Sequence, residues 1–256
     1  MYIKPINDQN FISDAIIEQE WDDIAEIRDQ IIQSRKDISL LDVTEPFIME
    51  SKGKLCGNKS VHVLDCGCGT GHLSHLIFEK QKNKVTAIDI SGKSINVAKR
   101  NYSVNNKNLT FIKASICDYE KSSRQFDVCI ANMVLMDVID LEKNLHSIYN
   151  MTSSRGYFCF TITHPWFWPI YWNYNNEEWF NYNSEIYIKA PFKISDYLIG
   201  SETTHIHRSF TNYFDACLKV GFEIVDIKEL YPKSSHLEIG YSYDYPRFMG
   251  FVCKKI

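Results

Sequence analysis

Apolar residues recur along this chain in two rhythms, and the change from one to the other marks its organisation. Over residues 11 to 33, Ile16, Ile17, Trp21, Ile24, Ile27 and Ile31 follow one another at spacings of one, three or four, with charges between them. That period gathers the apolar side chains on one face and predicts a helix. A second helix is expected from Thr44, an N-cap candidate with Glu45 and Pro46 in the first turn, with Gly53 and Gly57 ending it. Residues 1–58 are too few to enclose a core of their own, so this helical segment should pack over the site of the domain that follows, residues 59–256.

From Val61 short apolar runs alternate with amphipathic stretches. Strands are expected at Val61–Cys66, Lys84–Asp89, Leu109–Ser115, Phe126–Asn132 and Gly156–His164. Helices are expected at His72–Gln81, Gly92–Val104 and Leu141–Met151, with Ser91 and Asp140 as N-caps. Only a turn or short loop fits between Ile116 and Gln125. Nearly continuous apolar strands separated by helices imply a parallel sheet covered on both faces. After His164 the rhythm breaks. Residues 165–192 hold four of the chain's five tryptophans among many Tyr and Phe, with no clean period of 2 or 3.6. A stretch of this length without regular structure is usually functional, often a lid, and 165–203 is read as such an insertion. Thr204 to Val220 then reads as helix, ended by Gly221. The strands Phe222–Leu230 and Arg247–Lys254 should pair antiparallel, since only a loop joins them.

The first strand runs directly into Asp65-Cys66-Gly67-Cys68-Gly69-Thr70-Gly71 and then a helix. Glycines at alternate positions remove side chains, so the main chain can bend sharply and touch a ligand at a helix N-terminus. A dinucleotide site would want glycine at position 72, which is His72. Gly92-Lys93-Ser94 mimics the tail of a P-loop, but Ala87 stands where the leading glycine belongs. Cys66 and Cys68 have no second pair at ligand spacing, so no metal is expected.

Composition narrows the partners. The chain has 256 residues, 45% apolar and 23% charged, with a formal net charge of −4. With no basic stripe, binding dominated by nucleic-acid phosphates is disfavoured. No stretch approaches the ~18 apolar residues needed to span a bilayer, and Met1–Asn10 lacks the pattern of a secretory signal. The eight cysteines are scattered and several fall inside expected strands, as in reduced thiols of a cytoplasmic protein. Aromatic residues make up 14% of the chain and are unevenly placed.

The order of five strands with intervening helices, then helix, strand, loop and strand, resembles the class I S-adenosylmethionine-dependent methyltransferases of small-molecule type. Asp65 to Gly71 is similar to that family's first motif, an acidic residue followed by Gly-X-Gly-X-Gly. Val85-Thr86-Ala87-Ile88-Asp89-Ile90-Ser91 resembles its second, a strand ending in an acidic residue. Phe126-Asp127-Val128-Cys129-Ile130-Ala131-Asn132 resembles its fourth strand. The resemblance covers about Val61 to Lys254. It implies a doubly wound, mostly parallel seven-stranded Rossmann-like sheet with an antiparallel last strand, N-terminal helices and an aromatic-rich insertion after strand five.

It also implies a cofactor, S-adenosyl-L-methionine, with S-adenosyl-L-homocysteine as product. Asp89, 18 residues beyond Gly71, would accept both ribose hydroxyls, with Ile90 beside it. Asp65, Gly67, Cys68, Gly69 and Gly71 would meet the methionine portion. Alignment puts the adenine contacts on Ser115 and Ile116, with Asp118 as an alternative for the amino group. Asn132 ends the strand under the sulfonium. Trp21-Asp22-X-X-Ala25 resembles the Tyr-Asp-X-X-Ala segment of small-molecule members, which would bring Trp21 to the cofactor.

The acceptor should sit beyond the carboxyl ends of the strands. His164 is one candidate base and a turn-binding histidine is its alternative. His205 and Arg208, three apart on the expected helix, could supply a base or hold an anion, with His207 pointing elsewhere; they could equally cap the helix start. Asp137 reads as a loop or cap residue. Trp166, Phe167, Trp168, Tyr171, Trp172, Trp179 and Tyr182 could form a cage around an aromatic or cationic acceptor, or instead a homodimer interface. Arg28 is expected to close the other side. These residues point to methylation of an O or N atom of a small molecule, aromatic or anionic. The rivals are a methyltransferase of protein or RNA, and a non-catalytic protein that binds the cofactor and regulates a partner.

Overall fold

Seven strands form the central sheet of the computed structural model, which describes residues 3–6, 12–57, 59–81, 83–102, 107–122, 124–194, 197–232 and 244–256. Residues 11 and 104, outer ends of two expected helices, lie outside the described residues. Five strands are mutually parallel: β2 (His62–Cys66), β3 (Lys84–Asp89), β4 (Leu109–Lys113), β5 (Phe126–Asn132) and β6 (Thr152–Thr163). β10 (Phe248–Lys255) runs antiparallel between β6 and the edge strand β9 (Phe222–Leu230). The order across the sheet is β4-β3-β2-β5-β6-β10-β9. This is the expected doubly wound sheet with one antiparallel strand near its end. The order reverses between β2 and β5, where open α/β sheets leave a crevice.

The central strands are buried on both faces because helices cover both. On one side α2 (Glu45–Cys56), α3 (His72–Gln81) and α4 (Gly92–Tyr102) bring Ile48, Ile77 and Ile95 against Val63 and Val128. On the other, α6 (Leu141–Met151) and α8 (Phe210–Lys219) set Leu145, Ile148 and Cys217 against Phe158, Phe160 and Phe251. Ser91 and Asp140 act as the expected caps: Ser91 Oγ accepts from the Ser94 N–H at 3.0 Å and Asp140 Oδ1 from the Lys143 N–H at 2.9 Å.

Three expectations are corrected. Thr44 does not cap α2, because a π-helical turn over Ser39–Thr44 runs straight into it and Thr44 already has helical backbone angles. Gly53 lies inside α2, and Gly57, at φ +57°, ends it. A short helix, α5 (Ile116–Glu120), occupies the expected loop, capped by the Ser115 side chain, which accepts from the Asp118 N–H.

The largest correction concerns residues 204–220. The chain from Tyr197 to His207 is a strand, β8, paired antiparallel with β7 (Ile186–Ile194), and β1 (Lys4–Pro5) completes a separate three-stranded sheet. The helix begins only at Phe210, with Ser209 and Asn212 forming a reciprocal capping box. Thr203-Thr204-His205-Ile206-His207 is rich in β-branched residues, and their packing against β7 outweighs any helical spacing. The insertion is therefore a short helix, α7 (Phe167–Tyr171), followed by turns and a β-hairpin.

Helix α1 (Asp14–Gln33) lies between this second sheet and the main domain. Its Ile24 and Ile31 pack with Ile194 and Ile199. Glu20 pairs with Lys189 and accepts from Thr204 N at 2.6 Å. Toward α4, Asp22 Oδ1 accepts from Ser91 Oγ at 2.6 Å and the Lys93 N–H at 2.9 Å, while Arg100 grips Glu26 with two bonds. Among the described residues no helix is long and apolar enough to cross a membrane.

Candidate active site

The carboxyl ends of β2, β3 and β5 meet at the crevice, and the glycine turn sits in its throat. Gly67, Gly69 and Gly71 all have positive φ, at +73°, +53° and +87°. A Cβ on Gly67 would come within 2.4 Å of Val134 Cγ2, and one on Gly71 within 2.8 Å of Ala98 and Phe111. Those two glycines let the turn pack against its neighbours. Nothing lies within 4 Å of where a Cβ on Gly69 would stand, so its backbone faces open space. The turn is pinned by Gly67 and Cys68 N–H groups donating to the Ile88 carbonyl.

A buried carboxylate, Asp65, and a half-buried one, Asp89, flank the turn. Asp89 accepts from the Gly69 N–H at 2.7 Å and the Ser91 N–H at 2.8 Å. Asp65 accepts from Ser74 Oγ at 2.5 Å. Burial raises the pKa of each to about 6, against the opposing effect of these hydrogen bonds. Next to the turn, the hydroxyl of Thr70 is buried without a hydrogen-bond partner. Met133, just past β5, holds φ +59°, a conformation costly for a residue with a side chain. Its N–H donates to Thr161, whose hydroxyl donates to Asn132 Oδ1 at 2.6 Å.

These groups line one cavity of about 590 Å³, within the range of small-molecule sites. Asp65, Gly67, Cys68, Gly69, Asp89, Ile90, Ser115, Ile116 and Asn132 line one part of it. Gly71 supports the turn from behind, and Asp118 is turned to Ser115 and Lys121 outside the lining. The other part is walled by Trp21 of α1, by Trp168, Tyr171 and Trp172 of the insertion, by Phe192 of β7 and by His205 of β8. The Arg247 guanidinium lies 4.0 Å from the centre of the Tyr171 ring.

Several expected site residues lie elsewhere. His164 is buried beside Glu229, its Nδ1 accepting from the Trp166 N–H at 3.2 Å, and it lies outside the lining, as its turn-binding alternative supposed. Trp166 is 54% exposed and meets Tyr182 edge-on, while Trp179 stacks on Tyr174. His207 bonds the Tyr182 carbonyl. Arg208 is buried, donating to the carbonyls of Leu135, Val138 and Ile139 and to Glu185. It fastens the loop after β5. No helix face joins it to His205.

Asp137 also lines the cavity, although its sequence context reads as a plain loop. Arg28, paired with Asp37, and Arg247 line it as well. Arg28 lies on the helix expected to close this side, but Asp137 and Arg247 are brought together only by the return of β10 to the loop after β5, and no local sequence signal carries that.

The donor set fits a nucleoside-bearing sulfonium. Open space at Gly69 admits a backbone-hugging ligand, and Thr70 offers an unused hydroxyl. Asp89 lies where ribose hydroxyls would donate, and Asp65 where an ammonium would be drawn. A cavity between β2 and β5 with a glycine turn at its throat defines a nucleotide-type cofactor site on a methyltransferase-like sheet.

A family model described as "Methyltransferase domain" matches residues 57–192. The chain therefore belongs to the methyltransferase-domain family, within the class I S-adenosylmethionine-dependent methyltransferases. It is 33% identical over 85 residues to a ribosomal protein L11 methyltransferase of Ruminiclostridium cellulolyticum, covering 32% of this chain and 27% of that protein. It is 27% identical over 167 residues to a malonyl-[acyl-carrier protein] O-methyltransferase of Bacillus cereus, covering 63% of this chain and 61% of that protein. The matched stretch thus spans between about a quarter and three fifths of these curated relatives. In fold it is similar to the 1,6-didemethyltoxoflavin-N1-methyltransferase of Burkholderia thailandensis, at a TM-score of 0.63, 12% identity, 99% of this chain and 94% of that one.

Proposed function

We propose that this protein transfers a methyl group from S-adenosylmethionine to an oxygen or nitrogen atom of a small, flat acceptor. The observation that carries the reading is the continuity of the cavity: it runs from the glycine turn to an aromatic wall under α1 and the insertion sheet. In this reading Asp89 binds the ribose, Ser115 and Ile116 meet the adenine, and the turn with Asp65 holds the methionine portion. Residues 1–58 and 165–203 supply the walls of the acceptor pocket. Trp21, Trp168 and Tyr171 exclude water and stack on the acceptor, which matters because a displacement at carbon depends chiefly on alignment and desolvation. The Burkholderia protein was crystallised with bound 1,6-didemethyltoxoflavin and S-adenosylhomocysteine, which favours the same class.

A second reading, an acceptor carried on a protein, draws on the L11 and acyl-carrier relatives. Roofing of the pocket by α1 weighs against a bulky acceptor. The test is to incubate the protein with methyl-labelled S-adenosylmethionine and a cell extract split into small-molecule, protein and RNA fractions. Label entering the small-molecule fraction alone is expected. Label in protein would establish the second reading and remove the first.

A further inference from the structure

On the acceptor side of the cavity two polar side chains lie close together without a hydrogen bond between them. Asp137 lies in the loop after β5 and His205 near the end of β8, with Oδ1 and Nδ1 4.0 Å apart. That separation is too long for a hydrogen bond. Among the described residues no donor reaches the Asp137 carboxylate, and neither ring nitrogen of His205 has a hydrogen-bond partner. Both side chains are mostly buried, 14% and 17% exposed, and both line the cavity. Both groups therefore keep their hydrogen-bonding capacity open toward the cavity, where a ligand can use it.

The surroundings hold this pair in place rather than satisfying it. The Ile206 N–H donates to the Met136 carbonyl at 2.8 Å, tying β8 to the loop at the residues next to Asp137 and His205. Arg208 spends its guanidinium on the carbonyls of Leu135, Val138 and Ile139 and on Glu185, fastening the same loop from beneath. The Trp168 ring lies 6.2 Å from the His205 ring, forming an apolar flank. The other ionisable groups around Asp137 are Glu20 of α1, paired with Lys189 of β7, Arg208 itself, and Tyr213 of α8. Burial, and then Glu20, push the Asp137 carboxyl well above its ordinary value, with Arg208 opposing. Burial, and then His207 and Arg208, push His205 down to about 3, so it is neutral at physiological pH.

We infer that Asp137 is the proton acceptor of the transfer, with His205 orienting the acceptor. This rests on the donor reading proposed above and narrows its acceptor to an O–H or N–H nucleophile, such as a phenol or a ring N–H, rather than a carboxylate. As the bond from acceptor to methyl forms, the methyl–sulfur bond breaks and its electron pair stays on the sulfur. The proton leaves the acceptor for Asp137 and passes from there to solvent. Charge balances: the sulfonium becomes a neutral thioether, and one proton is released. A carboxylate acceptor carries no such proton and would be repelled by Asp137.

The test is the D137N variant, which keeps the shape and removes the charge. Its melting temperature should exceed that of the wild type by a few degrees at pH 8, and the gain should shrink as the pH is lowered and Asp137 takes up its own proton. Calorimetry with S-adenosylhomocysteine should give the same affinity for both proteins. With labelled S-adenosylmethionine and a panel of phenols, N–H heterocycles and carboxylic acids, label should enter one of the first two classes. Its rate should rise with pH in the wild type and fall at least tenfold in D137N. A D137N protein that melts lower or fails to fold, or label confined to carboxylic acids, overturns the inference. Failure of the wild type to bind S-adenosylhomocysteine would instead overturn the donor reading.

Discussion

Asp65 and Asp89 end neighbouring strands, and both carry pKa values of about 6 in place of 3.8. Between those values the folded chain binds more protons than the unfolded one. The two groups' contribution to stability therefore declines as pH rises from about 4 through about 6. Binding of the cofactor should run the other way, because a ribose hydroxyl or an ammonium needs an ionised carboxylate to receive it. Affinity for S-adenosylhomocysteine is expected to climb as pH rises through 6 in calorimetric titrations. Asp89→Ala should lower that affinity at least tenfold; equal affinity in the variant would remove Asp89 from the cofactor. These residues were legible in the sequence because strand, glycine turn and carboxylate follow one another within a few positions. Asp137 was not, since its meaning depends on His205, 68 positions away, and on a strand that local spacing reads as helix.

At the scale of elements, α1 is the piece that ties the two halves of the site together. Asp22 accepts from Ser91 and from the first turn of α4, beside Asp89, while Glu20 grips β7 and β8 two residues earlier. Side chains one helical turn apart would share a face, whereas these two, two apart, point to opposite neighbours. Removing the Asp22 carboxylate takes away a helix cap of about 1 kcal/mol and leaves Ser91 short of a partner. Asp22→Ala should therefore quicken amide exchange in α1 by roughly tenfold, with the central strands unchanged. An unaltered exchange rate would mean that apolar packing alone holds the helix. Sequence periodicity found α1, α3 and α6 because their apolar stripes are regular. It lost β8 because alternating Thr, His and Ile residues match a strand edge and a short helix equally well, and only pairing with β7 decides between them.

Across the whole molecule, the cavity is enclosed by pieces from distant parts of the chain: α1, the glycine turn, the ends of β3 and β4, the loop after β5, the aromatic insertion with its hairpin, and the start of β10. The parallel sheet was readable because its strands are nearly continuous apolar runs. The second sheet was not, since its strands mix aliphatic with polar residues and lie within a stretch that carries no clean period. A ligand bridging these pieces should stabilise them jointly. Saturation with S-adenosylhomocysteine at a hundred times its dissociation constant contributes about 2.7 kcal/mol. For a chain of this size that raises the melting temperature by about 5 to 10 °C. A shift near zero would mean that the ligand does not engage the folded chain.

The charged seam between α1 and the main domain has a consequence for how the helix is held. Arg100 with Glu26, Lys113 with Glu18 and Lys93 with Asp23 all sit in water at its rim. Exposed pairs of this kind weaken as ionic strength rises, whereas the buried contacts of Ile24 and Glu20 do not. Toward α4 the helix thus carries two kinds of contact, the exposed pairs outside and the Asp22–Ser91 and Asp29–Asn101 bonds beneath them. Raising the ionic strength should therefore loosen only the outer edge of this seam, leaving its buried bonds to hold the helix over the cavity.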